Sequence, residues 1–516
     1  MSPMRNVLFI MADQLRHDHM GCAGHPFLRT PNLDALAARG TRFTNAFVQS
    51  GICGPSRMSY YTGRYVSSHG ATHNRVPLSV GEVTLGWHLR ESGRALMLAG
   101  KTHVVPDRQG MARLHADGAD ELAVLLREGW FQLVDRHDGH HAEPNSAYAH
   151  WLREKGYDSP DPWSDFVISV TDENGATQSG WHMRNARHPA RIKAEHSETA
   201  YTTDKAIGFI EGQGASPWVL HLSYVKPHWP YIAPAPYHAM YSANECMPVS
   251  RHPAERGAHP VQTAFMDEEV AQSFQRDDCI ETVRPAYQGL VSELDHHLGR
   301  VWETLTRLDL WKDTLVIFCA DHGDYLGDHW LGEKELFHDC IQKVPFILVD
   351  PQATRRGDDD RLVQAIDVVP TILDALGLAA APHLVEGRSL LALTRGGPAP
   401  AWRDVAFSEL DWTFRGARLR MGIPVGHHHA WMVRMADWKY VHWSTGMPPQ
   451  LFDLRADPEE FFDLGQSPEH EAVRAAMKER LLAWFGSLKR RTTITWEQAE
   501  AGTDTYKKAG VFYGQW

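Results

Sequence analysis

Cysteine is scarce in this chain, and no stretch of it stays apolar for long. Six cysteines (Cys22, Cys53, Cys246, Cys279, Cys319 and Cys340) are scattered over 516 residues with no paired spacing, which excludes a disulfide framework and fits a reducing compartment. No apolar run approaches the roughly 20 residues of a membrane span. The longest near the start, Val7 to Ala12, has the length of a strand, ends at Asp13 and is followed by no signal-peptide cleavage pattern. A cytoplasmic protein without membrane attachment is therefore expected. Positive charge is in deficit too: 52 Lys and Arg against 64 Asp and Glu leave a formal charge of -12. That charge repels nucleic acid and anionic lipid, so an anionic substrate must be met by a local cluster of cations. The sequence has no internal repeat or low-complexity tract. With 43% hydrophobic and 22% charged residues the composition is globular, and the length calls for two or three domains rather than one.

Four short apolar runs share a layout. Asn6 to Asp13, Ala95 to His103, Trp218 to His228 and Thr314 to His322 each read as a strand apolar on both faces, the pattern of a central parallel sheet. Between them lie helical patterns such as Pro31 to Arg39, with Pro at the first turn and Gly40 beyond the end, and Ser197 to Ile210. The alternation predicts an α/β fold whose central, mostly parallel sheet is sandwiched by helices. Ligands of such sheets bind beyond the carboxyl ends of the strands. Each run ends there in ionisable residues: Asp13, Lys101 with His103, His228, and Asp321 with His322. One charged strand end is an ordinary solvated feature, whereas four that converge make a site. From about Trp402 the pattern changes to short alternating strands (Ala430 to Met435, Trp438 to His442, Gln450 to Leu454) and then a helix from about Pro468 to Lys489. This predicts a smaller C-terminal α+β domain with an antiparallel sheet. We place a catalytic domain at 1–395 and the C-terminal domain and tail at 396–516. An insertion over the active face is expected at about 128–194, where periodicity is weak and His, Asp, Gly and Trp are frequent.

The sharpest local feature is Cys53-Gly54-Pro55-Ser56-Arg57, followed by Tyr61-Thr62-Gly63-Arg64. Pro55 suits the first turn of a helix, so Cys53 stands at a helix N-terminus, where partial positive charge favours an anion or a lowered thiol pKa. Alone, such a cysteine is as readily a buried structural residue. In its company the motif resembles the C-x-P-S-R signature of the sulfatases, in which the cysteine is oxidised after translation to formylglycine, an aldehyde that hydrates to a geminal diol. The resemblance runs along most of the chain: Asp13-Gln14, Lys101-Thr102-His103, Lys226-Pro227-His228-Trp229-Pro230, Asp321-His322 through His329 with Lys334, Ile366 to Thr371, and Leu451 to Leu454. It implies an alkaline-phosphatase-like fold, hydrolysis of a small-molecule sulfate ester, and a formylglycine-generating enzyme as a partner during maturation.

Sulfate monoester hydrolysis needs an oxygen nucleophile, compensation for charge on three non-bridging oxygens, and protonation of the leaving alkoxide. The resemblance assigns Asp13, Gln14, Asp321 and His322 as ligands of one divalent metal. Carboxylate and amide oxygens suit Ca²⁺ or Mg²⁺ and the imidazole tilts the choice toward Mn²⁺ or Zn²⁺, so Ca²⁺ or Mn²⁺ is expected first. Lys101, Lys334 and His228 would bind the sulfuryl oxygens or protonate the leaving group, and Arg57 would hold the diol. After transfer, His103 would take the proton from the remaining hydroxyl so that sulfate is expelled. Asn74, in Asn74-Arg75-Val76-Pro77-Leu78, is the expected substrate-binding residue.

Two branches of the superfamily compete. Asp13-Gln14, Asp321-His322, Asn74 to Leu78 and the C-terminal Gly510 to Trp516 are similar to the phosphonate monoester hydrolases and related arylsulfatases. Phosphonate hydrolases typically replace the Lys and His of the K-x-H element, whereas Lys101 and His103 stand here, which points back to sulfate. Choline sulfatases combine Asp-Gln with the same element, so the alcohol stays open. The expected activity is hydrolysis of aryl or small alkyl sulfates with promiscuous phosphonate monoester and phosphodiester hydrolysis; the alternative is a phosphonate monoester hydrolase or phosphodiesterase by preference. An inactive binding protein on this fold would have lost some of Asp13, Cys53, Lys101, Asp321 or His322, and none is lost. The aromatic tail Val511 to Trp516 suits docking on a neighbouring subunit or packing on its own chain, and a homo-oligomer, dimer or tetramer, is expected. Among lesser candidates, His137 to His141 could line the pocket mouth. Asp367 is expected to cap the helix begun near Val368. Asp324, Asp328 and His329 are expected to support the metal ligands rather than bind a second ion. His427 to His429 are expected on a solvated or substrate-lining loop.

Overall fold

In the computed structural model, residues 3–139, 145–396, 401–426, 428–444, 446–505 and 508–511 are described. Among them are fourteen strands in chain order: β1 (Asn6–Asp13), β2 (Thr41–Phe47), β3 (Leu96–Gly100), β4 (Phe131–Arg136), β5 (Ser169–Thr171), β6 (Thr177–Ser179), β7 (Val219–Pro227), β8 (Thr314–Ala320), β9 (Phe346–Val349), β10 (Gly357–Gln364), β11 (Ala406–Asp411), β12 (His429–Arg434), β13 (Trp438–Trp443) and β14 (Gln450–Asp453). Eight form the main sheet in the order β10-β2-β9-β8-β1-β7-β3-β4. β9 is antiparallel to both neighbours and every other pairing is parallel. The strands that read as uninterrupted apolar runs, β1, β7 and β8, are buried at every position and occupy the middle of the sheet. Helices cover it, among them Glu198–Gly212 and the 31-residue helix Asp277–Arg307.

This order decides where the chemistry lies. β8, β1, β7 and β3 are consecutive, so the residues at and beyond their carboxyl ends, Asp321, Asp13, His228 and Lys101, are brought side by side. In the segment read as an insertion, Phe131–Arg136 is instead the edge strand of the main sheet. The residues beyond it add the helix Ala147–Glu154 and the hairpin β5–β6. There Trp181 packs 5.5 Å from Trp229, next in sequence to His228.

The C-terminal sheet is antiparallel in the order β11-β12-β13-β14. Its alternating residues divide between two faces, as a period of two requires. Phe407, Val433, Tyr440 and Leu451 pack with Met477, Leu481 and Trp484 of the helix Glu471–Ser487. Leu410, Met432, Val441 and Trp443 pack with Tyr325, Leu336, Phe337 and Ile341, which belong to the loop region that carries Lys334. Each large side chain fully buried this way contributes about 1.5–3 kcal/mol, so the loop is anchored from the C-terminal side.

Candidate active site

The helix Cys53–Thr62 begins at Cys53, and its whole first turn is buried. Cys53 Sγ lies 3.1 Å from His322 Nε2, 3.1 Å from Lys334 Nζ and 3.9 Å from Asp13 Oδ1. Lys334 Nζ reaches Gln14 Oε1 at 3.2 Å and His228 Nε2 at 3.0 Å. Lys101 Nζ forms an ion pair with Asp13 Oδ2 at 2.6 Å and makes no hydrogen bond among the described residues, which leaves donors for an anion. Asp13, Lys101, Asp321 and His322 are fully buried. His103 and Asn74 are half-buried. Asn74 Oδ1 accepts the Gly54 N–H at 2.7 Å, so it holds the helix turn that carries Cys53.

Arg57, expected to hold the diol, is hydrogen-bonded to the carboxylates beside position 53. Its Nε donates to Asp321 Oδ2 at 2.8 Å, its Nη2 to Asp13 Oδ2 at 3.2 Å, and its Nη1 to Lys101 O and Ser223 Oγ. The planar guanidinium therefore fixes the two carboxylates in one orientation.

Asp13, Cys53, Asp321 and His322 offer ligand atoms that all lie within 4.8 Å of one another. His322 Nδ1 hydrogen-bonds Gly323 O at 2.8 Å, which presents Nε2 toward the cluster as a ligand nitrogen. Burial works to lower the His322 pKa, but Asp321 and Cys53 push it up to about 9. With four donor atoms this close together, the residues fit a divalent ion. Burial and Cys53 work to raise the Asp13 carboxyl, yet Lys101, His228 and Arg57 together hold it well below the usual carboxylate range. The Cys53 thiol follows the same logic: burial raises its pKa, while Lys334, His322 and Lys101 bring it well below that of a free thiol. In all three groups the surrounding charges outweigh desolvation, so the site favours an anion at position 53.

The neighbouring residues add support that the sequence did not single out. Asp138 Oδ1 accepts the backbone N–H groups of Thr102 and His103 at 2.9 and 3.1 Å. His137, read as a candidate for the pocket mouth, is buried with Nε2 2.7 Å from Glu198 Oε1; His140 and His141 lie outside the described residues. Lys226 Nζ donates to the carbonyls of His228 and Pro230 at 3.3 and 3.2 Å and lies 3.7 Å from Glu198 Oε2. His228 Nδ1 is 2.7 Å from Trp229 O. Asp324 Oδ2 accepts from Gln14 Nε2 at 2.6 Å and Tyr231 OH at 2.7 Å, and Asp328 pairs with Arg16 and Arg284, a supporting arrangement. Asp367 does not cap the helix after it with its side chain; it accepts the N–H groups of Gln364 and Arg388 and pairs with Arg403. His428 is buried against Pro424 O and His429 starts β12, while His427 lies outside the described residues. The tail beyond Val511 does too. A cavity of about 860 Å³ opens beside the cluster, with Trp229, Glu333, Trp181 and Arg415 in its wall.

The family model of the Sulfatase family matches residues 5–378, and one described as N-sulphoglucosamine sulphohydrolase, C-terminal, matches residues 327–485. The multifunctional alkaline phosphatase superfamily protein PehA of Trinickia caryophylli is 32% identical, over 97% of this chain and 99% of its own length. An arylsulfatase of Clostridium perfringens is 28% identical, over 90% of this chain and 91% of its own. Among solved structures, the phosphonate monoester hydrolase SpPMH of Silicibacter pomeroyi superposes with a TM-score of 0.85 at 29% identity, covering 96% of this chain and 98% of the other.

Proposed function

The chain belongs to the sulfatase family and is a sulfuric ester hydrolase, and from that premise we propose that it cleaves aryl or small alkyl sulfate monoesters through formylglycine formed from Cys53, with phosphonate monoesters and phosphodiesters as secondary substrates. The observation that carries this reading is the position of Cys53 Sγ, 3.1 Å from both His322 Nε2 and Lys334 Nζ. Sγ stands where an oxygen of the hydrated aldehyde would be. Asp13, Gln14, Asp321 and His322 would hold one divalent cation, with Ca²⁺ or Mn²⁺ favoured by the mixed oxygen and imidazole donors. That ion supplies a lowered pKa for the attacking hydroxyl and charge compensation for the sulfuryl group.

The remaining steps fall to side chains. Lys101 and Lys334 bind sulfuryl oxygens. With Nδ1 engaged by the Trp229 carbonyl, His228 turns Nε2 toward Lys334, so Lys334 is placed to protonate the leaving oxygen and His228 to relay the proton. Burial, and then the Lys334 charge, lower the His228 pKa. His103, half-buried and hydrogen-bonded to Cys53, is the base for the second hydroxyl. The likeness to SpPMH across nearly the whole chain favours a second reading, in which phosphonate monoesters or phosphodiesters are preferred. Kinetics on 4-nitrophenyl sulfate, a 4-nitrophenyl phosphonate monoester and bis(4-nitrophenyl) phosphate decide between them. The first reading predicts the highest kcat/KM on the sulfate; a parent enzyme faster on the phosphonate overturns it in favour of the second.

A further inference from the structure

Lys334 stands on a backbone held in uncommon conformations. Glu333 has φ 65° and Glu335 has φ 109°, both in the region that costs a residue with a Cβ of order 1–3 kcal/mol and persists only where the surroundings over-determine it. Three fixings are visible. Glu335 and Gly51 form an isolated antiparallel bridge. Trp229 Nε1 donates to Glu333 Oε1 at 3.1 Å. The third comes from the segment that follows β11: Glu335 Oε2, buried and without a hydrogen bond, lies 3.1 Å from Arg415 Nε.

Arg415 belongs to the segment 412–428 between β11 and β12, and it is itself held. Its Nη2 donates to Glu268 Oε2 at 2.5 Å, Glu268 Oε1 accepts the Ala417 N–H at 2.9 Å, and the guanidinium lies 5.6 Å from the centroid of the Phe265 ring. The preceding residue, Phe414, stacks on His73 at 4.6 Å, and His73 adjoins Asn74. Arg415 thus ties the C-terminal segment to the strained loop on which Lys334 stands, and does so with one of the few charges able to balance the Glu335 carboxylate. Resting on the hydrolase reading above, we infer that Arg415 is a positioning residue for Lys334: through Glu335 it holds the ammonium on position 53 and His228, without itself touching the sulfuryl group.

Replacement of Arg415 separates this role from two others. Arg415→Gln should lower kcat by on the order of 10 to 100-fold, the range for partners that orient a reacting group, with KM little changed. The factor should be the same for 4-nitrophenyl sulfate and for the larger 4-nitrophenyl phenylphosphonate. Because the cavity opens onto Arg415, guanidinium ion added to Arg415→Ala should restore part of the rate. Glu335→Gln should reproduce the kcat loss, and the double variant should lose no more than the worse single one. Glu335→Gln also serves where an Arg415 variant does not fold. A rise in KM confined to the larger ester would overturn the inference by making Arg415 an alcohol-binding residue. So would a normal kcat accompanied only by a lower thermal midpoint, or strictly additive losses. If the parent hydrolyses the phosphonate and not the sulfate, the sulfate preference fails while the same ratios on the phosphonate still decide the role of Arg415.

Discussion

Replacing Glu293 by Gln should make the protein's stability much less sensitive to rising pH. Glu293 lies on the helix Asp277–Arg307, is 1% exposed, and has one carboxylate oxygen without a hydrogen bond. Burial drives its pKa up from 4.5 to about 7, against the opposing pull of the Ser197 hydrogen bond and the Lys226 charge. A carboxyl whose pKa is higher folded than unfolded binds more protons in the folded state between those two values. Stability therefore falls as pH rises through the window from 4.5 to about 7. Integrating over that shift, ionised Glu293 costs about 1 kcal/mol at pH 5 and about 3 kcal/mol at pH 8. The amide of Glu293→Gln keeps the volume and a hydrogen-bonding group for Ser197 but carries no proton-linked cost. The variant's stability relative to the parent should then increase by about 2–3 kcal/mol between pH 5 and pH 8. Urea unfolding followed by tryptophan fluorescence at both pH values measures it, and subtracting the parent removes other acids that titrate in the same range. A difference between variant and parent that is the same at the two pH values would refute the reasoning. Turnover at pH 7 should change little, since Glu293 reaches His228 only through Lys226.

Asp321→Ala removes the carboxylate that Arg57 holds in place and that is proposed to bind the metal, and should cost on the order of 10² or more in metal affinity or in rate. Metal content after dialysis and turnover after chelation check it, and unchanged values would remove Asp321 from the site. Replacing Lys101 and His103 together should lower kcat/KM for an aryl sulfate more than for an aryl phosphonate monoester, by about 10-fold or about 1.4 kcal/mol of differential transition-state binding. Equal losses on the two esters would make the pair general machinery.

The legible parts of the fold are those where both faces of an element are buried. β1, β7 and β8 stand out as apolar runs, and the polar residues that end them lie beyond the carboxyl edge as parallel-sheet geometry requires. β2 is only partly buried and β10 is exposed in its first half, with sequences as polar as TRFTNAF and GDDDRLVQ, so hydrophobic pattern does not separate them from loops. β4, at the sheet edge, merges with the polar segment after it for the same reason. Within the site, residue identity is visible in the sequence and orientation is not. The donors of Arg57 are distributed by where β1, β8 and β7 place Asp13, Asp321 and Ser223, a relation no local spacing encodes. Asp138 stands beside His137, whose own side chain turns inward to Glu198. Arg415 lies in a segment without periodicity, and only the packing of the C-terminal sheet on the 325–341 region brings it to Glu335.

The central claim is that the atom at position 53 attacks the sulfuryl group, and Cys53→Ser tests it most directly, because a serine hydroxyl can attack but leaves no second hydroxyl to expel the sulfate. The measurement is mass spectrometry of the peptide containing position 53 after incubation of Cys53→Ser with 4-nitrophenyl sulfate. The account predicts a covalent sulfate ester at that residue, accumulating as turnover stalls after about one equivalent of product. Steady turnover at the parent rate with the residue unmodified would contradict it.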